Sequence, residues 1–258
     1  MTSKLKSVEL FLSLSMATAI SLSGNVTVNA GEMTNASINE PTTAKTYFLA
    51  QEAEGGEGGE GSEELSPGEQ ANADFQDKLS GTELLSALQQ GGYIIYFRHA
   101  QTEKDYADQV EAVLGDCSTQ RMLSETGWQQ AKTIGAGFQE NSIPVDQVVS
   151  SEYCRAWQTA DLAFGKYEQN PALNFPPSGE YTEEQVAQMK AALTPMLTTA
   201  PESGTNTVIV GHDDVFESAT GIYPDPQGMA YIVKPDGQGG FELVANILPD
   251  EWSQLAGN

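Results

Sequence analysis

The chain has 258 residues, 39% of them hydrophobic, with 36 acidic and 12 basic side chains and a formal net charge of −24. That hydrophobic share supports one good core and a compact domain of roughly 150 residues. A surface this acidic repels polyanions, which argues against nucleic acid and anionic membrane surfaces as main partners. A phosphate-bearing ligand needs a local cationic pocket to overcome the field.

The first thirty residues have the layout of an export signal. Lys4 and Lys6 supply a basic start, residues 10–20 carry no charge, and Val28-Asn29-Ala30 offers small residues where a signal peptidase reads. Ser13, Ser15, Thr18, Ser21, Ser23 and Asn25 make the stretch too polar for a stable membrane span. The expectation is a signal peptide at 1–30 and an exported product, periplasmic or secreted. The two cysteines, Cys117 and Cys154, then predict a disulfide. It closes a loop worth roughly 3–4 kcal/mol in the chain-entropy model. Two cysteines and two widely spaced histidines give no zinc pattern, so no metal or other cofactor is expected.

Residues 31–72 read as a disordered linker. Residues 51–64 (QEAEGGEGGEGSEE) are Gly-rich but carry no Lys-Ser/Thr ending, and their carboxylates repel phosphate, so they are no phosphate cradle. The folded domain is expected over 73–258. Residues 82–90 predict a helix with Leu84, Leu85 and Leu88 inward and Gly91 as its stop. The apolar run at 93–97 (YIIYF) predicts a buried parallel strand. Ser124 is placed to N-cap a helix running to about Glu140, with Trp128, Ala131, Ile134 and Phe138 on one face. A strand at 147–150 and a helix at 155–164 follow. Thr182 and Gln185 form a capping box for another helix, which Pro195 is expected to kink or end. A strand at 207–210, a short helix at 213–219 and a closing hairpin (229–234 and 241–247) complete the chain. This alternation predicts an α/β fold in three layers: a mainly parallel sheet with helices on both faces.

Three strand ends carry the chemistry. The first strand runs into Arg98-His99, the second leads to Arg155, and the third ends at Gly211-His212. Ligands of open α/β sheets bind beyond the carboxyl ends of the strands. The whole chain has only three arginines (Arg98, Arg121, Arg155) and two histidines, and four of these five residues stand at the three strand ends. Arginine's planar fork matches phosphate oxygens, and two guanidiniums with imidazole donors suit a phosphoryl transition state. Taken singly, each histidine reads as a structural hydrogen-bonder and each arginine as a salt-bridge partner. Arg121 is assigned to that second role.

The segment Y-F-R-H-A-Q-T (residues 96–102) resembles the signature of the histidine phosphatase superfamily, which includes the phosphoglycerate mutases. L-S-E-T-G-W-Q-Q-A (123–131), S-S-E-Y-C-R-A-W-Q-T-A (150–160) and V-G-H (210–212) resemble it in the same order. The resemblance covers roughly residues 91–247. It implies a phosphoglycerate mutase-like fold and a metal-independent phosphomonoester hydrolase acting on a small phosphorylated substrate. It implies a phosphohistidine on His99, a pocket completed by Arg98, Arg155 and His212, and a phosphate contact from Thr102. Asp213, directly after the second histidine, is the favoured general acid; Glu152, Glu180 and Glu183 are the alternatives, and an N-cap is the plain structural role for Asp213.

The sequence departs from the family pattern at Ala100, where glycine is commoner, and at Asp105, where mutase-like members carry an amide. The rival functions are a mutase, which returns the phosphoryl group to its substrate, and a non-catalytic phosphate-binding module. Asp105 argues against the first and an intact His99 against the second. Neither the Cys-x₅-Arg loop of cysteine phosphatases nor the Gly-x-Ser-x-Gly elbow of serine hydrolases is present.

Overall fold

The computed structural model describes residues 65–104, 108, 112–176 and 181–257. The expected signal peptide, most of the expected linker, Asp105 and Glu180 lie outside them. Six strands form one sheet: β1 (Ile94–Arg98), β2 (Val145–Ser150), β3 (Glu168–Gln169), β4 (Asn206–Gly211), β5 (Ala230–Pro235) and β6 (Phe241–Ile247). Their order across the sheet is β3-β2-β4-β1-β5-β6. The first four in that order run parallel, and the β5–β6 hairpin joins antiparallel along the free edge of β1. β1 therefore lies inside the sheet with a partner on each side.

Alternate side chains of a strand point to opposite faces, and here both faces are covered. On one face Ile95, Phe97, Val148, Val208 and Ile232 pack with α2 (Gly81–Gln90), α3 (Glu125–Glu140) and α4 (Cys154–Phe164), around Phe138 and the buried Trp252. On the other, Ile94, Tyr96, Ile209, Tyr231 and Val233 pack with α5 (Glu183–Thr198) and α6 (Asp213–Thr220). This is the three-layer α/β arrangement expected, with the closing hairpin in place. Ser124 caps α3 by accepting from Gly127 N at 3.1 Å, and Thr182 and Gln185 form the reciprocal capping box that opens α5.

Three expectations need correction. Trp128 is 42% exposed, and the buried face of α3 runs through Gly127, Ala131, Ile134, Gly135 and Phe138. The helix turns this way because Gly127 lies against the loop after β1. A Cβ there would collide with the carbonyl oxygen of Gln101, so only glycine permits the approach. Pro195 does not end α5, which continues to Thr198. Leu193 and Leu197 on either side of it are fully buried in the core, and the Thr199 hydroxyl donates to the Pro195 carbonyl at 2.7 Å, giving the last turn its own support. Finally, residues expected to close the linker form a helix, α1 (Pro67–Ala73), opened by a Ser66/Glu69 capping box. A short polar segment carries no amphipathic signal of its own. α1 is held by what it touches: Gly68, Ala71 and Asn72 meet the α6 side of the domain.

Candidate active site

The carboxyl ends of β1, β2 and β4 bring Arg98, His99, Ser151, Arg155 and His212 together. The ladder runs on past the strands: His99 N donates to Gly211 O at 3.0 Å and Ser151 N to Val210 O at 3.0 Å. Arg98, His99, Arg155 and His212 are all buried. The rings of His99 and His212 lie 5.4 Å apart, edge to face. His212 is also clamped through its backbone. The Tyr96 hydroxyl donates to His212 O at 2.8 Å and accepts from His212 N at 3.0 Å. Gly211 makes this possible, because a Cβ there would collide with that hydroxyl oxygen.

Hydrogen bonds assign the His99 tautomer. Nδ1 lies 2.8 Å from the carbonyl of Ala100, an acceptor only, so Nδ1 carries the proton. Nε2 accepts from Arg155 Nε at 3.2 Å, so its lone pair is free of a proton. Burial, then the charges of Arg155, His212 and Arg98, hold the His99 imidazole well below the ordinary histidine range. His212 is depressed for similar reasons, burial first and Arg155 next, with Arg121 also near enough to contribute. Arg121 thus adds to the field of the site, and its backbone N–H donates to Asp108 Oδ1 at 2.7 Å.

A chain of bonds also orients His212. Asn174 Nδ2 donates to Glu152 Oε2 at 2.7 Å, which turns Asn174 Oδ1 toward Ser151. Ser151 spends its hydroxyl proton on that oxygen and so accepts from His212 Nε2 at 2.9 Å. His212 is left with Nδ1 as its unprotonated nitrogen. Both imidazoles are expected to keep neutral-form NMR shifts at pH 6, where an unperturbed ring of pKa 6.5 is mostly charged. Titration of either ring near pH 6.5 contradicts this. The unfolded chain then binds more protons below about pH 6.5, so this contribution to stability is present above that pH and lost as pH falls toward the folded values.

Each arginine is held by carboxylates. Arg155 Nη1 pairs with Asp108 at 3.0 Å, and its guanidinium lies over the rings of Tyr153 and Phe175, 4.9 and 5.3 Å from their centroids. Arg98 pairs through Nη2 with Asp213 at 2.6 Å and through Nη1 with Asp225 at 2.8 Å. Burial works to raise the Asp213 carboxyl, but Arg98 and the Tyr223 hydroxyl outweigh it, so the group sits below the ordinary carboxylate range. Its neighbour Asp214 is pushed up to about 6 by burial and by Asp213, and accepts from the Tyr181 hydroxyl at 2.9 Å.

Other expected residues fall in different places. Thr102 is buried, and its N–H and hydroxyl both donate to Gln227 Oε1, at 2.7 and 3.2 Å. That makes it a brace for the loop after β1, with its hydroxyl proton already committed. Glu152 is tied to Asn174, and Glu183 opens α5 on the exposed surface. Cys117 and Cys154 form a disulfide, fixing a short 3₁₀ turn (Cys117–Thr119) to the first residue of α4, next to Arg155. Sequence reasoning missed Asp108, Asn174, Tyr223 and Asp225, which no motif marks, and the role of Ser151, which stands inside the 150–160 motif without being singled out. Among the described residues no group of three or more His, Cys, Asp or Glu is placed to hold a metal ion, and no helix is long and apolar enough to cross a membrane.

Residues 94–172 match the family model of the histidine phosphatase superfamily (branch 1). Similar solved structures include the protein histidine phosphatase SixA complexed with tungstate, at 15% identity over 61% of this chain and 97% of that one, with a TM-score of 0.45. A phosphoserine phosphatase from Entamoeba histolytica, in complex with 3-phosphoglyceric acid, is 15% identical over 60% of this chain and 95% of its own, with a TM-score of 0.43. TTHB049 from Thermus thermophilus is 19% identical over 60% and 99%, with a TM-score of 0.42. No curated protein matches the chain in sequence. The matched segment holds the Arg98-His99 strand, the helix bearing Arg155 and the β2 strand between them.

Proposed function

We propose that the protein is a phosphomonoester hydrolase that forms a phosphohistidine on His99. The observation that carries this reading is the tautomer of His99: a neutral, buried imidazole with its Nε2 lone pair presented and its Nδ1 proton anchored on Ala100 O. A merely structural histidine has no need of an unprotonated nitrogen facing a guanidinium.

In the first step the phosphoryl group displaces the Arg155 contact at Nε2. Arg98 and Arg155 exchange carboxylate partners for phosphoryl oxygens. His99 Nε2 attacks phosphorus in line, the P–O bond to the alcohol breaks, and the leaving oxygen takes a proton. Asp213 is the donor in this reading. As a carboxylate on Arg98 it has no proton to give. Once Arg98 turns to a phosphate dianion, Asp213 loses its cation, faces a like charge and takes up a proton. In the second step water attacks phosphorus and the N–P bond breaks, releasing inorganic phosphate. His212, neutral in the free protein, gains a proton beside the same dianion and donates to it from Nδ1. The load is carried by side chains of this chain and calls for no metal.

The substrate is a small phosphorylated molecule, and the site of action is outside the reducing cytosol. The Cys117–Cys154 bridge supports export, because disulfides persist in oxidising compartments. The test is release of inorganic phosphate from p-nitrophenyl phosphate in EDTA. Sustained release supports the hydrolase; transfer to an added phosphorylated acceptor with little free phosphate favours a mutase. Phosphate binding without turnover favours a non-catalytic module.

A further inference from the structure

We propose that α1 is a positioning element of the active site: its Asn72 side chain and Gly68 carbonyl hold the tripeptide Tyr223-Pro224-Asp225 against Arg98. This rests on the reading of Arg98 as a phosphate ligand.

Among the described residues, the guanidinium of Arg98 meets Asp213 and three oxygens from consecutive residues. Those three are Pro224 O at 3.1 Å and Asp225 Oδ1 at 2.8 Å on Nη1, and the Tyr223 hydroxyl at 3.4 Å on Nη2. The Tyr223 ring also lies 5.1 Å from the guanidinium carbon. That tripeptide is neither strand nor helix, so no ladder fixes it. What fixes it is α1. Tyr223 N donates to Gly68 O at 3.0 Å, and Asn72 Nδ2 donates to Asp225 O at 2.9 Å, one bond at each end.

The attachment is close and specific. A Cβ on Gly68 would collide with Glu217 Oε1 and lie 3.1 Å from the Tyr223 Cβ, so α1 approaches this surface by using a glycine. Asn72 is itself oriented, since its Oδ1 accepts from the Tyr231 hydroxyl at 2.6 Å and its Nδ2 is thereby turned to Asp225. An isolated seven-residue helix is unstable in water. α1 and the tripeptide therefore order each other. A shift of α1 moves the three oxygens of the tripeptide that aim the guanidinium next to His99.

The experiment measures kcat/KM for p-nitrophenyl phosphate, and inorganic phosphate affinity by calorimetry, in the full chain. Asn72→Ala removes the bond to Asp225 and is expected to lower both about fivefold, the scale of one hydrogen bond. Asn72→Asp keeps the acceptor for Tyr231 and sets a carboxylate oxygen against the Asp225 carbonyl; it is expected to lower both at least as much and guards against a fold defect in the alanine variant. Tyr231→Phe removes the bond that turns Asn72 Nδ2 to Asp225 but keeps the donor, and is expected to lower both readings by less than Asn72→Ala. The signature of positioning is coupling: in an Asp225→Asn background, Asn72→Ala should cost far less than it does alone. Additive effects of the two substitutions, or wild-type values in both Asn72 variants, overturn the inference. A wild-type protein that binds phosphate but turns nothing over overturns the hydrolase reading instead, and the binding arm still decides the role of α1.

Discussion

His99→Ala is expected to abolish release of p-nitrophenol and of inorganic phosphate while the protein stays folded. The reason is the division of labour around the ring. Arg98, Arg155 and His212 supply charge and donors, but among these buried side chains only His99 presents an unprotonated nitrogen with its other nitrogen anchored to a carbonyl. Without it the remaining groups bind phosphate, and the one unprotonated ring nitrogen left among them, His212 Nδ1, is the group that takes a proton and donates to the dianion in this mechanism. The loss is expected to be on the order of 10⁴-fold or more, the scale seen when a covalent nucleophile is removed. The assay is run in EDTA beside the wild type, and rapid acid–base quenching is used to look for an acid-labile, base-stable phosphoenzyme present only in the wild type. Equal turnover in the two proteins removes His99 as nucleophile and the two-step mechanism with it.

The second large effect is expected at Arg155. Its Nε contacts His99, its Nη1 contacts Asp108, and its flat face covers two aromatic rings. Arg155→Ala should reduce kcat by about 10²–10³-fold, as for loss of a donor aimed at developing negative charge. Arg155→Lys should recover little of this. An ammonium keeps the charge but has no planar fork to reach Nε2 and a phosphoryl oxygen together. Arg155→Ala should also let the His99 ring protonate at higher pH, since Arg155 follows burial as the largest force holding it neutral. That shift is readable by NMR in the absence of any substrate. A lysine variant working at the wild-type rate would show that charge alone suffices and that the geometry described for Arg155 has no catalytic weight.

The parts of the fold written locally were readable in the sequence. The apolar runs of β1 and β4, the cap at Ser124 and the box at Thr182 each report a short-range preference that the packing does not overrule. The motif residues were readable because arginine and histidine are so rare here. What escaped was set by tertiary contact. Trp128 follows the helical period of its neighbours, yet α3 is rolled by the approach of Gly127 to Gln101, which no periodicity encodes. α1 has no apolar stripe, and its order comes from partners about 150 residues away, such as Asp225 for Asn72. Asp225 and Asp108 are single carboxylates in a chain crowded with them, and only position distinguishes the ones that hold Arg98 and Arg155. Asp213 was singled out as an acid, and the ion pair with Arg98 gives that residue a condition that sequence could not carry: it is charged until something else claims the arginine.

The placement of β1 has a consequence for how the protein fails. This strand carries Arg98 and leads directly into His99, and it is hydrogen-bonded to β4 on one side and β5 on the other with every residue buried. Edges and loops fray at little cost, whereas an interior strand opens only when the whole sheet does. The amide protons of residues 94–97 should therefore exchange with solvent at the rate of global unfolding. Opening of β1 itself then removes activity and cooperative structure together, in one transition. Any impairment that sets in below that transition comes from the elements around the strand, such as α1, and not from the strand that carries Arg98.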